Sequence, residues 1–241
     1  MPNFYSKAAL PFAKVPYNFA QWQLSHNRFL RATLEAIPPS LAYLVLVESA
    51  KFHVIQLCRK YPSAISPDAQ SSVKEAYQNM GCGDKNISFC NAGFNFPSTL
   101  TTMLDSKLVL FSCNPAVTKQ ELNELYAMAG HEALHTKENH ALKSELAFFM
   151  TMEMMREASM MFLQVRAMVA LCASVACAAI VFNEVNKRLE YRADTVSANR
   201  LHTASVLCGL FHRHPKESGP SHPSFESREA NLMKQLGSRE Y

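Results

Sequence analysis

Residues 118–140 read TKQELNELYAMAGHEALHTKENH and carry the most regular pattern in the chain. Thr118 and Glu121 stand three positions apart, which is the spacing of a capping box at the start of a helix. Apolar side chains then recur every three or four positions, as they do along one face of a helix. The sequence therefore predicts a long helix that begins at Thr118 and ends near His140.

Inside this predicted helix lies the motif His131-Glu132-Ala133-Leu134-His135. Two histidines four positions apart lie on the same face of a helix, so both imidazoles can bind one metal ion. Glu132 lies beside them, where its carboxylate can accept a proton from a water molecule on the metal. The motif predicts a zinc site with Glu132 as the catalytic base.

A third zinc ligand is needed, because two histidines and a water leave a catalytic zinc ion one protein ligand short. A histidine at the spacing HExxHxxGxxH is excluded, since that position is Ala141. The other option is a carboxylate from a later helix, where Glu190 and Asp194 stand one turn apart. We predict that Glu190 binds the zinc ion, one Zn²⁺ per chain. Asp194 would accept a hydrogen bond from a histidine ligand and fix its tautomer.

The order of these motifs resembles that of the gluzincin family of HtpX and CAAX prenyl proteases. Members show a strand, a capped HExxH helix with a further histidine five residues on, then ExxxD, then His-Pro-x4-Arg. The corresponding features of this chain are KLVLFS at 107–112, His131–His135, His140, Glu190–Asp194, and His222-Pro223 followed by Arg228. The resemblance covers about residues 86–232.

This resemblance implies a mainly helical α+β fold, in which a small sheet lies beside the HExxH helix of a gluzincin-type metalloprotease core. Residues 1–80 have no counterpart in the family and are predicted to form an N-terminal helical extension of unknown role. Residues 81–241 are predicted to form the zinc metallopeptidase domain.

The resemblance also implies roles for single residues. It supports Glu190 as the third zinc ligand, and it carries His140 over as a motif position without making it a ligand. His222 and Arg228 would line the cleft and help to hold the substrate or the oxyanion.

The remaining elements follow from proline positions and apolar runs. The helical spacing of residues 27–60 is predicted to break at Pro38-Pro39. Ser66-Pro67 has the form of a helix start. Two short strands are predicted, one at 87–90 and one at 107–112, and a loop is predicted directly after the first. The second is predicted to be the edge strand that pairs with an extended substrate.

The composition limits which classes of protein this chain can belong to. The 241 residues are 48% hydrophobic and 18% charged, which indicates a folded chain with a sizeable core. The net charge is only +4 and the basic residues are scattered, so nucleic acid is not an expected partner. The seven cysteines form no CxxC pair, which indicates a reducing compartment. No cleavable signal peptide is apparent, and we expect a cytoplasmic or membrane-associated protein.

Membrane contact is expected, if anywhere, within residues 147–182. The apolar stretch 167–182 would span about 24 Å as a helix, against a hydrocarbon core of about 30 Å. Since His135 and Glu190 are predicted to bind the same metal, the chain between them crosses a membrane an even number of times or not at all. A second crossing would fall on 141–165, which carries five charged side chains. We therefore predict a buried or interfacial helix.

Together these patterns predict a zinc-dependent endopeptidase that hydrolyses unfolded or flexible polypeptide bound in extended form. Two alternatives stay open at this point. One is a catalytically silent, zinc-stabilised interaction protein, and the other is an integral-membrane protease of the HtpX type.

Overall fold

The computed structural model describes residues 28–60, 65–90, 97–113, 119–162, 167–215 and 222–237. Within these ranges the chain forms seven helices and three strands, which confirms the predicted, mainly helical α+β class. In chain order the elements are α1 (Arg28–Lys60), α2 (Pro67–Asn79), β1 (Asn86–Cys90), β2 (Ser98–Thr101), β3 (Leu108–Ser112), α3 (Lys119–Lys137), α4 (His140–Phe162), α5 (Ala167–Leu201), α6 (Ala204–Arg213) and α7 (Phe225–Gly237).

The sheet has the strand order β1-β3-β2, with β1 parallel and β2 antiparallel to β3. The prediction that 107–112 forms the edge strand is therefore wrong, because β3 lies in the centre. All five residues of β3 are buried. An uninterrupted apolar run is typical of a strand that is covered on both faces. The edge nearest the HExxH helix is β2, a Ser/Thr-rich segment that the sequence analysis did not recognise as a strand.

The two faces of β3 pack against different helices. Leu108 and Leu110 form a cluster with Ile55 of α1. Val109 and Phe111 belong to the main core, together with buried residues of α2 and α3. The sheet is thus a thin layer between α1 on one side and the helix pair α2 and α3 on the other.

Helix α1 runs continuously through Pro38 and Pro39. The predicted break at these prolines is therefore wrong. A proline inside a helix removes one backbone hydrogen bond and crowds the preceding turn. Packing of the later part of α1, including the buried Leu44 and Ile55, stabilises the helix and offsets that cost.

The start of α2 confirms the prediction from Ser66-Pro67. The Ser66 side chain accepts a hydrogen bond from the backbone N–H of Ala69 at 3.2 Å, and Pro67 is the first helical residue. Proline is well suited to this position because the first N–H groups of a helix have no partner within it.

Helix α3 ends at Lys137, so the prediction that it runs to about His140 is wrong. Asn139 has a φ of 52°, in the left-handed region where asparagine is one of the few tolerated residues. The chain turns at this residue, and α4 begins at His140. Thr118, the proposed cap, lies outside the described residues.

Gly130 sets the distance between α3 and α5. A Cβ atom at this position would lie 2.1 Å from Cδ1 of Leu201. Only glycine allows α5 to pack this closely without displacing Leu201. The close packing brings the C-terminal third of α5, which carries Glu190 and Asp194, against the histidines of α3.

Helix α4 packs between α1 and α5. Two helical segments among the described residues, Ile37–Lys60 and Met168–Leu201, are long and apolar enough to cross a membrane by length and composition. The second overlaps the stretch from which membrane contact was expected, and the first was not anticipated from the sequence.

Candidate metal centre and active-site cleft

The structure brings His131 and His135 of α3 together with Glu190 of α5. One ligand atom from each of these side chains lies within 4.8 Å of the other two. The two Nε2 atoms are 2.9 Å apart. Glu190 places one carboxylate oxygen 3.2 Å from His131 Nε2 and the other 3.3 Å from His135 Nε2. The three residues that the sequence selected as ligands therefore converge on one point.

Asp194 orients the ring of His131. Its Oδ1 lies 2.9 Å from Nδ1 of His131, and the aspartate is fully buried. An ionised carboxylate only accepts hydrogen bonds, so Nδ1 is the protonated nitrogen of the neutral imidazole. The lone pair of His131 Nε2 then faces Glu190, as a metal ligand requires.

His135 is oriented by a different group, His140. The two Nδ1 atoms are 2.8 Å apart, and Nε2 of His140 donates to Glu138 at 3.0 Å. Burial, together with the neighbouring His135, lowers the pKa of His140 to about 4, so His140 is neutral at neutral pH. Its Nδ1 must then accept the proton of His135 Nδ1, which leaves His135 Nε2 free for a metal.

The donor set fits a divalent transition metal ion. Oε2 of Glu190 is buried and has no hydrogen-bond partner in the part of the chain that the structure describes. Arg228 Nη1 lies 3.3 Å from this oxygen without a hydrogen bond, so the oxygen keeps a free acceptor site that a bound cation would fill. Two imidazole nitrogens and one carboxylate are also the protein ligands found in one class of catalytic zinc site.

The charges around the centre favour a cation. Burial and Arg228 lower the pKa of His131, but Glu190 and Asp194 outweigh them and raise it to about 9. Burial raises the pKa of Glu190, but His131 and the other neighbouring side chains lower it well below its ordinary value. In the protein alone, a proton on Nε2 of His131 lies toward Glu190, where a metal ion would otherwise bind.

The centre opens into a cleft of about 260 Å³. Strand β2 forms one wall, Glu132 and His135 lie at the base, and α4 and α5 form the opposite wall. The lining residues are Ser98, Thr99, Thr101, Glu132, His135, Thr136, His140, Ala141, Ser144, Glu145, Phe182, Asn186, Leu189, Glu190 and His222.

Comparison with known families identifies the chain. The model of Peptidase family M48 matches residues 87–236, which is more than half of the sequence. The chain belongs to peptidase family M48. The match agrees with the resemblance to gluzincins of the HtpX and CAAX-protease type. No curated protein and no solved structure matched the chain.

In this M48 chain, Arg228 lies behind the candidate metal centre. It is 3% exposed and does not line the cleft. Its guanidinium donates to both oxygens of Asp194, at 2.8 and 2.6 Å, and Nη1 lies 3.3 Å from Glu190. The rings of Phe211 and Phe225 lie against it, with centroids at 4.7 and 5.2 Å. The acidic neighbours, outweighing the effect of burial, raise its pKa.

His222 does line the cleft and is half-exposed. Its Nδ1 lies 2.9 Å from Oε1 of Glu190. This hydrogen bond is the main reason that the pKa of His222 is raised above its ordinary value. The structure therefore separates the two residues of the His-Pro-x4-Arg motif, since one faces the cleft and the other is buried behind it.

Thr99 was missed by the sequence analysis. Its hydroxyl donates to Oε2 of Glu132 at 2.6 Å, from a position on the edge strand β2. A short Ser/Thr segment after a loop offers no periodic signal, and only the pairing of β2 with β3 places Thr99 opposite the HExxH helix.

Proposed function

We propose that this M48 chain is a zinc-dependent endopeptidase. Family membership supports a metallopeptidase, and the observation that carries the finer proposal is the convergence of His131, His135 and Glu190 beside Glu132. A metal site that only stabilises a fold is usually closed by four protein ligands. Within the described part of the chain three ligands converge, next to a carboxylate and an open cleft, which favours catalysis.

Zinc is the proposed metal, held by Nε2 of His131, Nε2 of His135 and the carboxylate of Glu190. When bound, zinc supplies a Lewis acid that polarises the peptide carbonyl and lowers the pKa of water. Asp194 and His140 support the site, because each holds the far nitrogen of one histidine ligand.

Glu132 is the proposed general base and acid. Its carboxylate faces the cleft, where it would accept the proton of the attacking water and then deliver it to the leaving amine. Thr99 holds Oε2 of this carboxylate by a hydrogen bond, so the side chain is oriented before substrate binds.

His222 is the proposed partner of the developing oxyanion. It lines the cleft as a hydrogen-bond donor with a raised pKa, which suits a group that stabilises negative charge. For Arg228 the geometry favours a supporting role in which it acts through Glu190 and Asp194, because its guanidinium does not line the cleft.

The proposed substrate is polypeptide in extended form. Strand β2 lines the cleft and pairs with β3 along one edge only among the described residues. The other edge can add a substrate strand through backbone hydrogen bonds, a recognition mode that favours unfolded or flexible segments.

The experiment that tests this proposal maps cleavage of a diverse peptide library by mass spectrometry. The zinc-loaded protein is compared with a Glu132→Gln variant at matched zinc content. We expect cuts within peptides from the wild type and a 10²–10⁴-fold lower rate from the variant, because general acid–base catalysis contributes about that much. Absence of cleavage by both proteins, with zinc bound, would favour a zinc-stabilised interaction protein instead.

A second proposal concerns location. The apolar outer surface of α1 and α5 supports association with a membrane surface. Leu46, Met168 and Ile180 are each about two-thirds exposed, which is unusual for large apolar side chains in such number. This surface includes the later part of the stretch 147–182 and extends it to α1.

A further inference from the structure

A buried carboxylate on α1, Glu48, contacts the chain directly after the edge strand β2. Glu48 is 2% exposed and lies outside the region that matches the M48 family, which begins at residue 87. Its Oε2 accepts hydrogen bonds from the Thr102 hydroxyl at 2.7 Å and from the backbone N–H of Met103 at 2.5 Å. Thr102 follows the last residue of β2 and is itself buried.

The second oxygen of Glu48 joins α1 to the opposite wall of the cleft. Oε1 accepts a hydrogen bond from Nζ of Lys51 at 2.9 Å, and the same ammonium group contacts Glu145 of α4. Glu145 lines the cleft on the wall that faces β2. A chain of charged side chains therefore runs from the end of β2, through α1, to α4.

The position of β2 matters for two proposed roles in the cleft, the orientation of Glu132 and the binding of substrate. Thr99, three residues before Thr102, donates to Glu132, and the free edge of β2 is the proposed docking edge for substrate. An edge strand is paired on one side only, so a contact at its end adds to the few interactions that hold it in place. Hydrogen bonds to a buried carboxylate are among the stronger polar contacts in a protein.

We propose that α1 positions the substrate-binding strand of this peptidase. Glu48 anchors the end of β2, and Lys51 fixes the distance from that anchor to α4, so the width of the cleft depends on a helix outside the family region. Glu48 and Thr102 are positioning residues that act through β2 on Thr99 and on the bound peptide. The expected effect on turnover rests on the proposed peptidase function, whereas the expected effect on the stability of β2 does not.

The test compares two matched pairs of variants of the full chain. Thr102→Val removes the hydroxyl donor at nearly constant volume, whereas Thr102→Ser keeps it. Glu48→Ala removes the acceptor, whereas Glu48→Gln keeps one amide oxygen at the same place. Ser49→Ala, an exposed change on the same helix, is the control. Each protein is examined by amide hydrogen exchange, metal content and steady-state cleavage of peptides.

We expect the β2 amide hydrogens to exchange at least tenfold faster in Thr102→Val and Glu48→Ala than in the wild type. Amide exchange in α3 and the metal content should be unchanged. The KM for extended peptides should rise about tenfold with a smaller change in kcat. Thr102→Ser and Ser49→Ala should stay near the wild type. Glu48→Gln keeps an acceptor for Thr102 and Met103 but loses the acceptor for Lys51, so its β2 exchange should lie between those of the wild type and Glu48→Ala.

Normal β2 exchange in a folded Thr102→Val protein would overturn the proposal, as would a loss of metal that accompanies any loss of activity. If Glu48→Ala does not fold, the comparison of Thr102→Val with Thr102→Ser tests the proposal. If the wild type cleaves no peptide, the peptidase proposal fails, and exchange at β2 still tests the anchor by itself.

Discussion

Each histidine of the HExxH motif has one ring nitrogen held by the protein and the other directed at Glu190. Asp194 holds His131, and the neutral His140 holds His135. The two supports differ in chemistry, since one is a carboxylate that is itself paired with Arg228 and the other is an imidazole. Both nevertheless leave Nε2 as the atom that can bind a metal.

Thr99 is expected to matter for the rate because it orients Glu132. Replacing it by valine removes the 2.6 Å hydrogen bond to the carboxylate, a contact of about 1.5–3 kcal/mol when one partner is charged. We expect Thr99→Val to lower kcat about tenfold to a hundredfold at unchanged metal content. Thr99→Ser should recover most of the rate in the same peptide assay. An unchanged kcat in the valine variant would remove Thr99 from the mechanism.

Replacing Arg228 is expected to lower the stability of the fold. Its removal leaves the fully buried Asp194 without its charge partner, a change that typically costs about 3–5 kcal/mol. We expect Arg228→Met to lower the free energy of unfolding by about this amount, measured by chemical denaturation, and to weaken metal binding. Arg188→Met, at an exposed position of α5, is the control. A loss of turnover without loss of stability would instead indicate direct contact with the substrate.

At the scale of elements, the turn between α3 and α4 is tied to α5. Glu138, in this turn, forms two hydrogen bonds with the guanidinium of Arg192, at 2.8 and 2.7 Å. The same carboxylate accepts the proton of His140 Nε2. The turn is therefore linked both to the helix that carries Glu190 and to the group that orients His135.

This link predicts a pH dependence of stability. Arg192 is the main reason that the pKa of Glu138 is lowered to about 2, whereas a glutamate in the unfolded chain has a pKa of about 4.3. The folded-state pKa is the lower one, so the stabilisation is fully present above about pH 4.3. It decreases as the pH falls below that value and is lost by about pH 2.

The measurement compares urea unfolding of the wild type and Glu138→Gln between pH 7 and pH 2.5. We expect the wild type to be more stable at pH 7 and the difference to shrink toward the acid end. Glu184→Gln, which alters an exposed pair on α5, should show a smaller difference at every pH. A difference that does not depend on pH would mean that the Glu138–Arg192 pair contributes little.

At the scale of the whole molecule, α1 and α5 present exposed apolar side chains, among them Leu46, Met168 and Ile180. Burying a large aliphatic side chain contributes about 1.5–3 kcal/mol, so one such contact changes an affinity about tenfold or more. We expect the full chain to sediment with phospholipid vesicles, and Ile180→Glu or Leu46→Glu to weaken that binding at least tenfold. Peptide cleavage in solution should be unaffected, because neither residue lines the cleft.

Lys187→Gln, at an exposed polar position of α5, is the control for vesicle binding. If the protein stays in solution at all lipid concentrations and instead sediments as a dimer, the surface is an interface between two copies. Leu46→Glu should then dissociate that dimer.

Several of these features were predictable because they depend on local geometry alone. Helical spacing places His131 and His135 on one face, and it places Glu190 and Asp194 one turn apart, whatever the rest of the chain does. The cap at Ser66 and the strand character of 108–112 are also local. Local spacing thus sufficed to select His131, His135 and Glu190 as candidate ligands, whereas their role as ligands stays a proposal.

Other features depend on residues that are distant in sequence, and only the tertiary structure decided them. The packing of α5 against Gly130 brings Glu190 to the histidines, and the turn at Asn139 places His140 against His135. Which strand forms the edge, and the contact of Glu48 with the end of β2, depend on how α1 covers the sheet. Sequence periodicity indicates which residues are buried. It does not indicate which element they pack against, because contacts between elements leave no periodic pattern in the sequence.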